Sequence, residues 1–141
     1  MPKIMYTARA TSTGGRSGHG ATDDGVLDVT LTTPKEMGGD GARGTNPEQL
    51  FAVGYSACFL GAMKAAARKS GDKIPEDATV TAEVSFKDRA DGEGFWIEAA
   101  LKAHIPGMDK AKAEDIIQRA HVICPYSEVS RKGFDVTLDV V

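Results

Sequence analysis

Hydrophobic positions in this chain alternate with a period of two in five stretches and with a helical period in two others. Ile4, Tyr6 and Ala8 open an alternation that stops at Gly14-Gly15, predicting a strand over residues 4–13. Leu27, Val29 and Leu31 alternate against polar neighbours and predict a second strand over 26–33. Val80, Ala82, Val84 and Phe86 predict a third. A fourth starts at Phe95 and puts Ile97, Ala99, Leu101, Ala103 and Ile105 on one face. Asp88–Gly94 supplies the loop of an antiparallel hairpin between these two. Phe134, Val136, Leu138 and Val140 predict a last strand. Between the first two strands, Gly14–Gly20 and Asp23-Asp24-Gly25 read as one long connection holding the cation Arg16; a second glycine-rich stretch, Met37–Gly44, holds Arg43.

The first helical stretch runs from near Asn46 to near Ser70. Asn46 is an N-cap residue, Pro47 suits the first helical position, and Gln49 stands where it can answer the cap's own N–H. Arg68 and Lys69 suit the negative pole, and Gly71 can take the left-handed conformation that ends a helix. Leu50, Gly54, Ala57, Cys58, Gly61 and Ala65 share one face, mostly of small residues that admit another backbone. Phe51, Val53, Phe59, Leu60 and Met63 make most of the remaining circumference apolar, so the helix is expected to be buried nearly all round. A chain of 141 residues has few elements with which to wrap it, which hints that a second subunit supplies part of the cover. The second helix is capped by Asp109, carries Ala113, Ile116, Ile117, Ala120 and Cys124 on one face, and ends at Pro125.

The order strand, strand, helix, strand, strand, helix, strand, with alternation that leaves one solvated face, predicts an α+β fold of mainly antiparallel sheet around two helices. Length and composition fit one domain over 1–141, with 41% hydrophobic and 26% charged residues. A formal charge of −3 argues against a nucleic-acid or anionic-membrane surface. The N-terminus lacks the apolar core of a signal peptide, and no apolar run has the length of a membrane span, so the cytoplasm is the expected location.

The chain has two cysteines, Cys58 and Cys124, one on the inward face of each predicted helix. Buried free cysteines often serve only as small hydrophobes. A nucleophilic role needs a nearby cation, because an ordinary thiol is only a few per cent ionised at neutral pH. Cys58 lies too far into its helix to use that helix's own dipole, which leaves Arg16 or Arg43 as candidates. Glu48, in the first helical turn, is explained by the dipole alone; alternatively it fixes an inward arginine through a planar bidentate contact. A zinc site built from Cys58, Cys124, His121 and His104 has no Cys-x-x-Cys spacing to recommend it. Cys124-Pro-Tyr-Ser127 is similar to a monothiol redox motif, except that such a cysteine opens a helix whereas this one closes one. The glycine-rich loop before Asn46 lacks the Gly-Lys-Ser/Thr ending of a phosphate loop. His19 and His104 read as loop and strand-surface residues.

Taken together, Thr13-Gly-Gly-Arg16, Gly25–Val29, Thr33-Pro-Lys-Glu36, Thr45–Phe51, Gly54-Tyr-Ser-Ala-Cys-Phe59 and Val122-Ile-Cys-Pro-Tyr-Ser127 resemble the organic hydroperoxide resistance proteins of the Ohr/OsmC family, in order and over nearly the whole length. The resemblance implies a thiol peroxidase with Cys58 peroxidatic, Cys124 resolving, Arg16 beside the thiolate and Glu48 holding Arg16; Arg43 falls back to a loop residue. It further implies an intertwined homodimer with the long helices central and no bound cofactor or metal. The substrates would be alkyl and fatty-acid hydroperoxides, met by an apolar pocket with Phe51 and Phe59 as candidate lining. Regeneration would come from dihydrolipoyl groups of lipoylated proteins. The alternative class is a non-catalytic ligand-binding or structural dimer with inert cysteines.

Overall fold

Strand β1 (Ala10–Thr13), β2 (Gly18–Thr22) and β3 (Asp28–Leu31) form an antiparallel meander in that order. The computed structural model describes residues 1–141 and divides into two compact units, residues 1–50 and 51–141. In the first unit the register pairs Thr13 with His19 and Gly18 with Leu31. Two expectations change here. Pairing starts only at Ala10, and residues 1–9 are exposed and in no strand, although Ile4 and Tyr6 belong to the alternating set. The stretch read as one long connection contains β2, whose Gly-His-Gly-Ala-Thr sequence has little strand propensity of its own. It is held by ladders on both sides, and at its buried Gly20 a Cβ would meet Ser12 Oγ at 2.9 Å, so that a larger residue there requires Ser12 to turn aside.

After β3 the chain makes a 3₁₀ turn at Lys35–Met37. It then returns beside β3, where Thr45 N–H donates to Thr30 O and Thr32 N–H to Thr45 O, both at 2.9 Å. That bracket delivers the chain into helix α1 (Pro47–Lys69). Asn46 Oδ1 accepts from Gln49 N–H at 2.8 Å, the expected N-cap, but the Gln49 side chain answers the Thr45 hydroxyl at 2.7 Å instead of the cap's N–H. At the far end Gly71 has φ 76°, and Asp72 N–H reaches back to Ala67 O at 2.8 Å.

The second unit packs α1 beyond its first turn against a hairpin and helix α2 (Lys110–Ile123), which Asp109 caps. Tyr55, Phe59, Ala62, Met63, Ala66 and Ala67 are the buried face of α1. Burial nearly all round is therefore not what one chain provides: Ala57 and Gly61, on the small seam, are exposed, and Val53 is 68% exposed. By length and composition α1 is also apolar enough to cross a bilayer, with a mean hydropathy of 1.4. Its Tyr55–Ala67 face, however, lies in the protein core. Met63 and Ile116 have no exposed surface, worth about 1.5–3 kcal/mol each in apolar burial.

β4 (Thr79–Asp88) and β5 (Phe95–His104) pair antiparallel from Thr79–His104 to Asp88–Phe95. Val80, Ala82 and Leu101 on one face pack against the core. Toward the hairpin tip that face runs out of cover, and Phe95 and Ile97 are exposed.

Pro125 closes α2 but also opens a helix that periodicity did not reveal, α3 (Pro125–Lys132), with Pro125 at its first position. Three α-helices are therefore present instead of two. Cys124 is both the C-cap of α2 and the N-cap of α3. The predicted last strand does not form: residues 134–141 are exposed and pair with no strand of this chain. Alternation marks a segment that has a face to bury, but a strand exists only where a ladder partner is supplied.

Candidate active site

In the first unit the β1–β2 turn projects Arg16. Gly14 (φ 74°) makes that turn possible; a Cβ on it would stand 2.4 Å from Ser17 O. Arg16 Nη1 donates to Glu48 Oε2 at 2.9 Å and Nη2 to Oε1 at 2.7 Å, a two-pronged contact across 32 residues of sequence. Glu48 is the second residue of α1, so its carboxylate also lies at the positive end of the helix. The hydrogen bonds from Arg16 hold the Glu48 carboxyl below the usual carboxylate range against the opposing pull of burial, and Glu48 in turn raises the guanidinium. Glu48 is thus an ionised, oriented anchor. Arg43 is exposed in the loop before α1.

In the second unit α1 presents Cys58 and the α2–α3 corner presents Cys124, fully buried. Both thiols are free, and Cys124 Sγ–H donates to Cys58 Sγ at 3.4 Å. Burial pushes the Cys58 thiol up from its ordinary value, the backbone N–H of Tyr126 pulls it down, and the adjoining Cys124 thiol adds to the rise. That Tyr126 amide belongs to the first turn of α3, where N–H groups have no partner in their own helix. The dipole of α1 is out of reach of Cys58, but α3 turns its own N-terminus toward that sulfur.

The residue whose amide meets Cys58 also belongs to an aromatic cluster. Tyr126 packs on Phe51 and Tyr55 with ring centroids 5.5 and 5.6 Å apart, and Phe51 meets Tyr55 edge-on at 6.0 Å. Phe51 is half-buried in this cluster, whereas Phe59 is in the core. Tyr126 can lie on α1 because residue 54 is glycine: a Cβ there would come within 2.5 Å of Tyr126 Oη. A buried hydroxyl completes the corner. Ser127, with no exposed surface, bonds through Oγ to Tyr55 Oη and to His121 Nδ1, each at 2.8 Å. In the sequence Tyr126 and Ser127 stand only inside the Cys124–Ser127 string, with no role of their own, and His121 only among zinc ligands. One signal was available: a glycine inside a helix costs about 1 kcal/mol relative to alanine and so asks for a packing reason. No three His, Cys, Asp or Glu side chains converge into a metal-binding group, and His19 bonds Asp28.

Two reduced cysteines brought sulfur to sulfur by a helix and a helix–helix corner of an α+β fold define a two-cysteine thiol protein. The family model of OsmC-like proteins matches residues 38–139. The organic hydroperoxide resistance protein of Xanthomonas axonopodis pv. citri is 48% identical over 136 residues, 96% of this chain and 94% of its own length. Among solved structures, OhrB, the organic hydroperoxide resistance protein of Bacillus subtilis, superposes with a TM-score of 0.84 at 40% identity, covering 96% of this chain and 98% of that one. An organic hydroperoxide resistance protein from Legionella pneumophila gives 0.85 at 44% identity, covering 94% and 95%. The chain belongs to the OsmC-like family, in its organic hydroperoxide resistance branch.

Proposed function

We propose that the protein is a cytoplasmic thiol-dependent peroxidase that reduces organic hydroperoxides to alcohols. The observation that carries this reading is the pair of free thiols 3.4 Å apart, and the names of its relatives support the substrate class. The Cys58 thiolate attacks the distal peroxide oxygen, the O–O bond breaks, and the alkoxide takes a proton and leaves as alcohol. Cys58 is then a sulfenic acid. The Cys124 sulfur displaces its hydroxyl, forming the Cys58–Cys124 disulfide and releasing water. An external dithiol, the dihydrolipoyl group of a lipoylated protein, reduces the disulfide by exchange and becomes the cyclic disulfide.

Because burial raises the Cys58 thiol, thiolate chemistry at neutral pH calls for a cation. Arg16, held flat by Glu48, is proposed for that role, since a guanidinium fixed at two points keeps its charge where a flexible lysine would not. The apolar surroundings, with Phe51 and Phe59 proposed as lining, favour alkyl and fatty-acid hydroperoxides over the small polar hydrogen peroxide. The working form is proposed to be a homodimer. Support comes from the apolar surface one chain leaves open: Val53 on α1, Phe95 and Ile97 on β5, and the unpaired alternating ends Ile4–Tyr6 and Phe134–Val140.

One observation favours a second reading, a non-catalytic dimer with inert cysteines: the upward push on Cys58. Turnover decides between them. With cumene or tert-butyl hydroperoxide and dihydrolipoamide, the parent should consume peroxide and Cys58→Ser should not, while Cys124→Ser should react once and stall. Retained activity in Cys58→Ser rejects the peroxidase mechanism.

A further inference from the structure

Cys124 is placed by a corner, not by a helix. It has extended backbone angles (φ −66°, ψ 122°), and its side chain makes no capping hydrogen bond to α3. Its direction is therefore set by how firmly α2 and α3 are tied to each other and to α1. Arg119 Nη1 ties α2 to α1 at Ala66 O, 2.8 Å, toward the far end of α1 from the sulfurs; one hydroxyl makes both ties at once. His121 lies three residues before Cys124 on α2, Ser127 three residues after it on α3, and Tyr55 three residues before Cys58 on α1. Ser127 Oγ bonds His121 Nδ1 and Tyr55 Oη, so one atom joins all three helices beside the two sulfurs.

A serine hydroxyl has one proton and two lone pairs. Either proton order satisfies the chain: Tyr55 donates to Ser127 and Ser127 to His121, or His121 donates to Ser127 and Ser127 to Tyr55. No buried side-chain polar atom is left unpaired. Removing the hydroxyl strands the buried Tyr55 hydroxyl and releases the half-buried His121 ring, which can turn toward solvent, so the arms of the corner lose the atom that joins them. A second tie, Arg131 Nη1 to His121 O at 2.8 Å, joins α2 and α3 only and does not reach α1.

We propose that Ser127 is a positioning residue for the resolving step, holding Cys124 within reach of the Cys58 sulfenic acid through the Tyr55–Ser127–His121 link. This rests on the peroxidase reading above. In that step a sulfenic acid and a thiol give one disulfide and one water. The role falls chiefly on that step, because Cys124 supplies no reacting atom to the attack of Cys58 on peroxide and only adds to the rise of the Cys58 thiol.

The test separates the two half-reactions. Reduced protein is mixed with one equivalent of cumene hydroperoxide, sulfenic acid is trapped with dimedone at timed intervals, and disulfide is counted by mass spectrometry without reductant. Ser127→Ala and Tyr55→Phe are each expected to slow disulfide formation at least tenfold while sulfenic acid formation changes less than threefold. Both should also pass to sulfinic acid at lower peroxide doses than the parent. Ser130→Ala, whose hydroxyl bonds only the Ser127 carbonyl within α3, should match the parent in both steps. Tyr55→Phe keeps the ring and its packing, so it decides the matter if Ser127→Ala fails to fold. Disulfide formation at the parent rate in folded variants overturns the role of Ser127 while leaving the peroxidase reading intact. A parent that forms no trapped sulfenic acid and no disulfide overturns the reading, and the positioning role with it.

Discussion

Replacing Gly54 with alanine sets two effects of known sign against each other. In an exposed helix interior the change stabilises by about 1 kcal/mol through helix propensity. Here the new methyl would lie 2.5 Å from Tyr126 Oη, 3.1 Å from Cζ and 3.3 Å from Cε2. The phenol must therefore retreat by roughly 1 Å to reach ordinary contact distance. Tyr126 is 37% exposed and has room to swing outward. Doing so weakens its ring contacts with Phe51 and Tyr55, each worth about 0.5–1.5 kcal/mol. Overpacking of this kind costs about 1–3 kcal/mol. The balance is a net loss of about 1 kcal/mol, which for a chain of this size lowers Tm by about 3–5 °C. Scanning calorimetry of parent and variant at equal protein concentration reads the sign. The backbone amide of Tyr126 pulls the Cys58 thiol down, so to the extent that the ring's retreat draws this backbone away, the pH at which Cys58 reacts with a neutral alkylating reagent should rise. A variant that melts about 4 °C above the parent with an unchanged thiol titration would show that propensity prevails and that Tyr126 does not depend on Gly54.

Three further outcomes follow from the geometry. Arg16→Lys keeps the charge but loses one of two hydrogen bonds to Glu48; at a side chain 34% exposed this is worth about 1 kcal/mol, so peroxide turnover should fall several-fold but less than in Arg16→Ala. A lysine variant as fast as the parent would mean that charge alone matters. Glu48 has a folded pKa below its unfolded value of about 4.3, so its contribution to stability is complete well above that pH, declines as the pH falls through it and is gone below the lowered folded value. Urea unfolding from pH 7 to pH 3 should show the difference between parent and Glu48→Gln shrinking only at the acid end; a constant difference would contradict the ion pair. A Cβ on Gly61 would meet nothing within 4 Å beyond its own helix, so Gly61→Ala should stabilise a monomer by about 1 kcal/mol but weaken a dimer whose partner backbone uses the seam. Sedimentation at several concentrations distinguishes the two.

What could be read in the sequence was what neighbours along the chain decide. Asn46, Pro47 and Gly71 marked the ends of α1 because caps act within one turn. The β4–β5 hairpin and α2 were legible because period-two and period-3.6 patterns reflect which side of an element faces the core. Helix α3 was not, since eight residues after a proline that normally stops a helix give too little period to see. β2 was hidden in glycines, its strand character supplied by its two neighbours.

The cysteines, Arg16 and Glu48 were visible as residue types whose chemistry asks for company. Their order along the chain does not specify who that company is. Residues 32 apart meet at two hydrogen bonds, and residues 66 apart meet sulfur to sulfur, only because strand ladders and helix packing close those loops. The alternation in 134–140 shows the division most plainly. By itself the sequence determined that this segment has an apolar face. Whether it becomes a strand depends on a backbone partner, which local preference cannot create, and within this chain the tertiary structure provides none.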